Sequence, residues 1–327
     1  MRFGTRPGAS SRVADTATRA SRRRGNKRGG GEGVWYPRWF WPSFATPASL
    51  YLLVFFVLPL YVIVSIAFGT VDATFQSPRP IYQPWFWTSQ YLTKVTRDAV
   101  GYQRGVYIRT FIYVFIASVL CVLIAYTVAY YVSRFGGKRK GLFLTLLIAP
   151  FFVSYLMRML AWINLLQIEG YVNKILGWIP FVPHKVNWLG GYPWTVVLGL
   201  VYGYVPYMIL PLYGFLDRIQ QSLLEAGRDL GASPARTFMR VTLPLSRQAI
   251  LAGIVIVTLP MFGDYYTNNL LSNSPKTQMV GNLLDNAVNN TGQGPLAAVL
   301  VLIIMIILLV PMAYYLRSTS NELKVST

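Results

Sequence analysis

Cysteine and histidine are nearly absent from this chain of 327 residues, which contains one of each, Cys121 and His184. A single cysteine cannot form an intramolecular disulfide, and a lone histidine without nearby ligand-spaced partners does not indicate a metal site. The phosphate-binding pattern G-x-x-x-x-G-K-S/T is also missing, so we expect no nucleotide site. Charged residues are scarce, at 13%, and 11 acidic residues face 30 basic ones. We therefore predict a chain that binds no metal or cofactor and has no catalytic residues.

Hydrophobic residues make up 54% of the chain and are concentrated in six apolar runs, near 48–69, 107–133, 142–166, 193–216, 248–270 and 295–316. Each run is close to the roughly 20 residues that cross about 30 Å of hydrocarbon as a helix. In lipid the backbone polar groups must be bonded within the chain, and the runs are too long for barrel strands. We therefore predict an all-α membrane protein with six transmembrane helices.

Basic residues lie mostly before the first run and in two of the segments between runs, where they predict the cytoplasmic side of the membrane. Residues 1–46 hold ten basic residues and two acidic ones, which is typical of a disordered tail. A net charge of +19 would suggest nucleic acid binding in a soluble protein. Here its distribution favours a topology signal beside an anionic leaflet, without a nucleic acid partner. Six spans then predict N-in and C-in termini, with a short cytoplasmic tail at 319–327.

The polar segment 217–247, between the fourth and fifth runs, is predicted to form two short helices with a sharp turn between them. Gly231 stands where glycine ends a helix. Ser233 followed by Pro234 provides an N-cap and a first helical residue for the second helix. Phe238 belongs to the apolar stripe of that helix. The segment is therefore predicted to be a rigid knob that docks on a partner.

Small and charged residues of this knob are the candidates for the docking surface. Small residues at the bend permit close approach of another backbone, and charged residues beside them set the register of the contact. The small residues are Ala226, Gly227, Gly231 and Ala232, and the charged ones are Glu225, Arg228 and Asp229.

The spacing of this segment resembles the EAA loop of bacterial ABC importer permeases. The matching positions are Glu225, Ala226, Gly231, Phe238 and Pro244. Gly227 stands where many members have a second alanine. The resemblance implies that segment 217–247 couples the chain to a separate ATPase, which binds ATP and magnesium, and that residues 47–318 form an ABC transmembrane permease domain.

Two ionisable residues, Arg158 and Asp264, lie inside the apolar runs, where charge is costly and indicates function. Each lies about 24 Å from the cytoplasmic end of its run, at 1.5 Å per residue. Equal depth permits an ion pair between them. Alternatively, Asp264 faces the pathway and attracts a cationic solute, or Arg158 faces it and attracts an anion. Pro260 and Gly263 are predicted to break the helix, as in transport cavities.

Other candidate pathway residues lie close to these charges. Tyr265 and Tyr266 offer π faces to an ammonium group, unless they belong to an interfacial aromatic belt. Asn268 offers an amide oxygen, Glu169 offers a second anion at the outer mouth, and Trp162 lies one helical turn beyond Arg158.

Four motifs extend the resemblance to the PotB-type permeases of spermidine/putrescine importers, over about residues 50–316. They are Leu156 to Trp162 (LMRMLAW), Glu169-Gly170 with Asn173, Tyr202 to Leu212 (YGYVPYMILPL), and Leu259 to Leu270 (LPMFGDYYTNNL). The resemblance implies a type I importer fold in a bacterial inner membrane, forming half of the pathway for a small cationic solute, with polyamine expected. It also implies a PotC-type second permease, two copies of a PotA-type ATPase and an extracytoplasmic solute-binding protein.

Other functions stay open at this point. Permeases that resemble this group also carry opines, phosphonates, iron or other small solutes, including anions. A stand-alone secondary transporter is less favoured, because segment 217–247 resembles a loop that couples a permease to an ATPase and because no inverted repeat is evident. A membrane anchor for nucleic acid binding has little support, since the basic tail has no fold signature.

Overall fold

The computed structural model describes residues 40–179 and 186–325, with the side chains described over 43–179 and 186–318. These residues form α-helices joined by short turns, together with one pair of two-residue strands. They divide into a unit ending at Pro59 and a second unit from Leu60 onward. The predicted all-α membrane fold is confirmed. Most of the predicted basic tail, residues 1–39, and His184 lie outside the described residues.

The helices take the following labels in chain order. They are α1 (Phe40–Leu52), α2 (Leu58–Ala67), α3 (Gln90–Val100), α4 (Arg104–Phe135), α5 (Lys140–Ile148), α6 (Tyr155–Leu166), α7 (Tyr171–Leu176), α8 (Pro193–Leu216), α9 (Gln221–Asp229), α10 (Pro234–Thr237), α11 (Leu243–Leu245), α12 (Arg247–Phe262), α13 (Tyr266–Leu271), α14 (Val280–Asn289) and α15 (Gly294–Val325). The strands Thr70–Val71 and Pro78–Arg79 pair antiparallel between α2 and α3.

Four helical stretches of the described chain are long and apolar enough to cross a membrane, namely Ser43–Ala67, Arg104–Phe135, Pro193–Leu216 and Gly294–Ser318. Two bent pairs also qualify: Gly137–Phe152 with Tyr155–Leu176, bent by 90°, and Pro234–Leu245 with Arg247–Phe262, bent by 61°. The six predicted spans are therefore reached when each bent pair counts as one.

The third and fifth apolar runs are broken for local reasons. In the third run, Pro150 lies in a 3-10 turn, and Val153 and Ser154 then adopt extended backbone before α6 begins. In the fifth run, α12 ends at Phe262, and the chain turns through Gly263 before α13. Both breaks interrupt a run whose apolar pattern is continuous, and both fall beside the intramembrane charges.

The predicted ends of the membrane domain differ from the helix ends. The first helix begins at Phe40, within the stretch predicted as tail. Aromatic residues just before the predicted boundary at residue 47 belong to this helix. The last helix continues to Val325, through most of the predicted tail 319–327, because Glu322, Leu323 and Lys324 are good helix formers.

The main core lies between α4, α8 and α12, and α4 presents a stripe of small residues to it. Ala117, Cys121, Ala125 and Ala129 recur every four residues and are all fully buried. Residues four apart share one helix face, so α8 packs closely along this stripe. Cys121 is therefore a core residue of the helix pair.

A second core joins the end of α2, α3, α14 and the first turns of α15.

Polar contacts stabilise the end of the main core where α4 and α8 finish. Arg134 donates to the carbonyls of Leu216 and Ile219, each at 3.1 Å, and so caps the end of α8. Lys140 pairs with Asp217 at 2.5 Å. Both basic side chains bind the start of segment 217–247.

The Asp72 carboxylate organises the strand pair outside the membrane-spanning helices. It accepts hydrogen bonds from the backbone N–H groups of Phe75 and Thr74, which lower its pKa, and the ion pair with Arg79 lowers the pKa further.

Gly281, in the first turn of α14, tests the packing around the break in the fifth run. A Cβ atom there would lie 2.5 Å from the Asp264 carbonyl oxygen and 2.7 Å from that of Gly263. Both are backbone atoms, so Gly281→Ala should lower the free energy of unfolding by about 1–3 kcal/mol. Thermal unfolding of the purified protein in detergent measures this loss.

Gly214→Ala is the matched control, because a Cβ atom at this position in α8 meets nothing within 4 Å. It should leave the midpoint unchanged or raise it, since alanine favours helix over glycine. Equal midpoints for the two variants would contradict the close approach of α14 to the break.

Candidate functional site

Asp264 lies at the break between α12 and α13, where the helix has opened. Its side chain is 6% exposed. The Oδ1 atom accepts a hydrogen bond from the backbone N–H of Thr267 at 2.9 Å. This bond satisfies one of the N–H groups that the first turn of a helix leaves free. The carboxylate therefore stabilises the restart of the helix after Gly263.

Three hydroxyl groups donate to the other oxygen of Asp264. The Oδ2 atom accepts from Thr267 Oγ1 at 2.7 Å, and from the Tyr155 and Tyr204 hydroxyls at 3.1 Å each. Hydrogen bonds to a charged group contribute about 1.5–3 kcal/mol each. The donors come from α6, α8 and α13, so one buried carboxylate joins three helices through neutral groups.

Close packing holds these helices in place around the carboxylate. A Cβ atom on Gly203 would lie 2.7 Å from the Tyr155 ring. A Cβ atom on Gly199 would lie 2.5 Å from both Thr267 and Leu271. The two glycines of α8 therefore let the donors from α6 and α13 approach Asp264.

A cavity of about 800 Å³ opens beside this network, between α6, α8 and the break after α12. Among the residues that line it, the charged ones are Arg158 and Asp264, and several others are tyrosines. Its full lining is Ser154, Tyr155, Leu156, Arg158, Gly203, Tyr204, Tyr207, Ile256, Pro260, Gly263, Asp264, Tyr265 and Tyr266.

Arg158 is 7% exposed, but it does not pair with Asp264. The ion pairs found among the described residues are Arg79 with Asp72 and Lys140 with Asp217. The Nε and Nη1 atoms of Arg158 are buried and have no hydrogen-bond partner. The guanidinium carbon lies 5.3 Å from the centre of the Tyr155 ring and 6.0 Å from that of Phe151. In this conformation, the two charges share a cavity without contact.

The other predicted pathway residues divide into two groups. Tyr265 and Tyr266 line the charged cavity, and their rings stack with centroids 4.2 Å apart. Trp162 lines a neighbouring, largely apolar cavity of about 680 Å³ and packs against Tyr202 with ring centroids 5.3 Å apart. Asn268 is buried beneath the break, and Glu169 is exposed between α6 and α7.

Sequence reasoning missed Tyr155, Tyr204 and Thr267, the hydroxyl donors to Asp264. All three are polar residues within apolar runs, which is the signal that could have found them. It also missed the function of Asn173, a buried side chain that donates to the carbonyls of Gln167, Ile168 and Val186 and so organises the segment after α6.

The turn of segment 217–247 has the geometry that its sequence predicts. Gly231 follows α9 with a φ of +81°. Its N–H donates to the Arg228 carbonyl at 2.8 Å, and the Ala232 N–H donates to the Gly227 carbonyl at 3.1 Å. These two bonds form a Schellman motif. A Cβ atom on Gly231 would meet nothing within 4 Å, so the backbone conformation alone favours glycine.

The second part of the segment is anchored to the membrane core. Ser233 caps α10 by accepting the Arg236 N–H, and Pro234 is the first helical residue, as predicted. Phe238 packs edge-on against Tyr126 and Tyr130 of α4, with ring centroids 5.6 Å and 5.5 Å apart. Phe238 therefore holds the knob in place.

The exposed surface of the knob carries most of the predicted docking residues. Gly227 and Ala232 are half-buried, and a Cβ atom on Gly227 would touch Thr237 of α10 at 3.4 Å. Leu230, which directly precedes Gly231, is 89% exposed. The exposed predicted residues are Glu225, Ala226, Arg228, Asp229, Gly231 and Pro244.

Known proteins of similar sequence are membrane transport components. The family described as "Binding-protein-dependent transport system inner membrane component" matches residues 121–318. The spermidine/putrescine transport system permease protein PotB of Escherichia coli K12 is 32% identical over 204 residues, which are 62% of this chain and 74% of that protein. PotB of Haemophilus influenzae is 37% identical over 169 residues, covering 52% of this chain and 58% of the relative.

A solved structure shows the same fold. A permease chain from a bacterial ABC transporter that imports the acidic polysaccharide alginate aligns with a TM-score of 0.67 at 15% identity. The alignment covers 86% of this chain and 96% of that one. The fold expected of a type I importer is confirmed by this likeness.

Thr267→Val tests the network around Asp264, because it removes one hydroxyl donor and keeps the side-chain shape. Thr267 is fully buried, so the free energy of unfolding should fall by about 1.5–3 kcal/mol. Thr127→Val is the control, because this exposed hydroxyl bonds only to the Leu123 carbonyl of its own helix. Thermal unfolding in detergent compares them, and an unchanged midpoint for Thr267→Val would refute the structural importance of the network.

Proposed function

Because the chain belongs to the family of binding-protein-dependent transport system inner membrane components, we propose that it forms half of the translocation pathway of an ATP-driven importer for polyamines. It is a multi-pass permease subunit of the inner membrane and carries out transport without bond chemistry of its own. The observation that carries the choice of a cationic solute is the buried Asp264 carboxylate in a tyrosine-lined cavity. The PotB relatives bear the name of spermidine/putrescine permeases.

The cavity chemistry suits an ammonium group. Four hydrogen bonds hold the Asp264 carboxylate while it lines the cavity. An intramembrane carboxylate attracts cations strongly because little water screens it. The stacked rings of Tyr265 and Tyr266 also line the cavity, and tyrosine faces attract ammonium groups. A polyamine would be held by charge at one amine and by aromatic faces along its chain.

The knob supports a separate ATPase as the motor. Its tight turn at Gly231 and its anchor at Phe238 make it able to transmit a rigid-body motion. We assign ATP and magnesium to that ATPase, in two copies of PotA type. The other partners are a PotC-type permease and an extracytoplasmic solute-binding protein. The knob and both termini lie on the cytoplasmic side, as the basic residues predict.

Gly231 variants test the coupling assignment. Gly231→Val places a β-branched side chain at a φ of +81°, where such residues are strained. ATP-driven uptake should fall at least about tenfold, while the amount of chain in the membrane is unchanged. Gly231→Asn is the matched control, because asparagine tolerates left-handed backbone, and it should retain most uptake. Normal uptake in the valine variant would rule out a rigid coupling knob.

Asp264→Asn tests the cation site. The amide keeps the size of the carboxylate and removes its charge, so putrescine uptake at limiting concentration should fall about tenfold, which corresponds to about 1.4 kcal/mol of lost interaction. Asp285→Asn is the control, since Asp285 bonds Asn269 and Asn289 outside the cavity. Membrane abundance is measured by immunoblot for both. Equal uptake by both variants would exclude Asp264 as the cation site.

A further inference from the structure

In the described part of the site, Arg158 is the buried charged side chain whose hydrogen-bond donors lack partners. Its side chain is more than nine-tenths buried, and its Nε and Nη1 atoms have no hydrogen-bond partner. Burying a charge without compensation is costly, and two aromatic faces compensate a guanidinium only partly. An acceptor that the chain itself does not supply would satisfy these donors.

The acceptor is not Asp264 in this conformation. No ion pair joins the two side chains, and the hydrogen bonds to that carboxylate come from neutral donors. The two side chains are nevertheless neighbours through Tyr155, whose hydroxyl bonds Asp264 and whose ring lies under the Arg158 guanidinium. The cavity therefore presents one positive and one negative group, and their charges sum to zero.

A solute with two ammonium groups matches only half of this arrangement. Its first amine is attracted by Asp264, while its second meets no other anion among the lining residues and is repelled by Arg158. A solute with an amine at one end and a carboxylate at the other matches both groups. Arginine binds carboxylates in a planar, two-bond geometry, and the Arg158 side chain lines the cavity.

We propose that this cavity binds aminocarboxylates, with the solute carboxylate on Arg158 and the solute ammonium on Asp264 and the tyrosine rings. This proposal rests on the proposed importer function and widens its substrate class beyond polyamines. A small solute is favoured over a side chain of another subunit because α6, α8 and the α12 break of one chain line a cavity of about 800 Å³ that both charged residues border.

The test uses the assembled importer, with both permeases and both ATPases, in nanodiscs without the binding protein. The probes are radiolabelled 4-aminobutyrate and putrescine, which have the same chain length and differ in one end group. Equilibrium dialysis measures both dissociation constants for wild type, Arg158→Gln and Arg158→Lys. Thr127→Val is the control, because this exposed side chain of α4 is outside the lining of both cavities.

Wild type should bind 4-aminobutyrate. Arg158→Gln should weaken that binding at least tenfold and should leave putrescine binding equal or several-fold tighter, since the repulsion is gone. Arg158→Lys should retain part of the 4-aminobutyrate affinity, because the charge remains without the two-bond geometry. Thr127→Val should change neither constant by more than twofold.

Three results would overturn the proposal. They are no binding of 4-aminobutyrate to wild type, an equal effect of Arg158→Gln on both probes, and loss of the second permease from the purified Arg158→Gln complex. The last result would make Arg158 a subunit contact. Binding of 4-aminobutyrate that is independent of Arg158, with ATP-driven uptake intact, would sink this inference alone. Failure of both probes to bind, together with no ATP-driven uptake of either, would instead refute the importer function.

Discussion

The hydrogen bonds to the Asp264 carboxylate are the constraint on which the rest of the site depends. They compensate a buried charge with neutral donors from three helices, and they hold open the break after α12. A Cβ atom on Gly199 or Gly203 of α8 would separate the helices that supply the network. A Cβ atom on Gly281 of α14 would meet the backbone of the break itself. Helix break, donor set and cavity are therefore one structural arrangement.

Helix α12 connects this arrangement to the knob. It begins directly after α11 and ends at the turn that precedes Asp264, so its 16 residues extend over about 24 Å. Near its start, Ser246 bonds Tyr126 at 2.9 Å, and Phe238 packs on the same tyrosine. A displacement of the knob therefore acts on one end of α12, while the Asp264 carboxylate follows its other end.

Much of the knob could be predicted from the sequence because its determinants are local. Gly231, Ser233 and Pro234 specify a helix end and a helix start within a few residues. The membrane site was harder to predict, because Tyr155 and Tyr204 lie 109 and 60 residues from Asp264 along the chain. Equal depth suggested an Arg158–Asp264 ion pair, but depth along a span says nothing about rotation around the helix axis. The breaks at Ser154 and Gly263 likewise interrupt apolar patterns that read as continuous.

The most direct test of Asp264 as the solute-binding group is an experimental structure of the assembled importer, determined in an occluded state with putrescine bound. We expect solute density within the cavity of this chain, with the carbon chain of putrescine against Tyr265 and Tyr266. An amine nitrogen should lie within about 3 Å of the Asp264 carboxylate, the usual distance of a charge-assisted hydrogen bond. Solute bound elsewhere along the pathway, with Asp264 still enclosed by its four donors and out of contact, would contradict it.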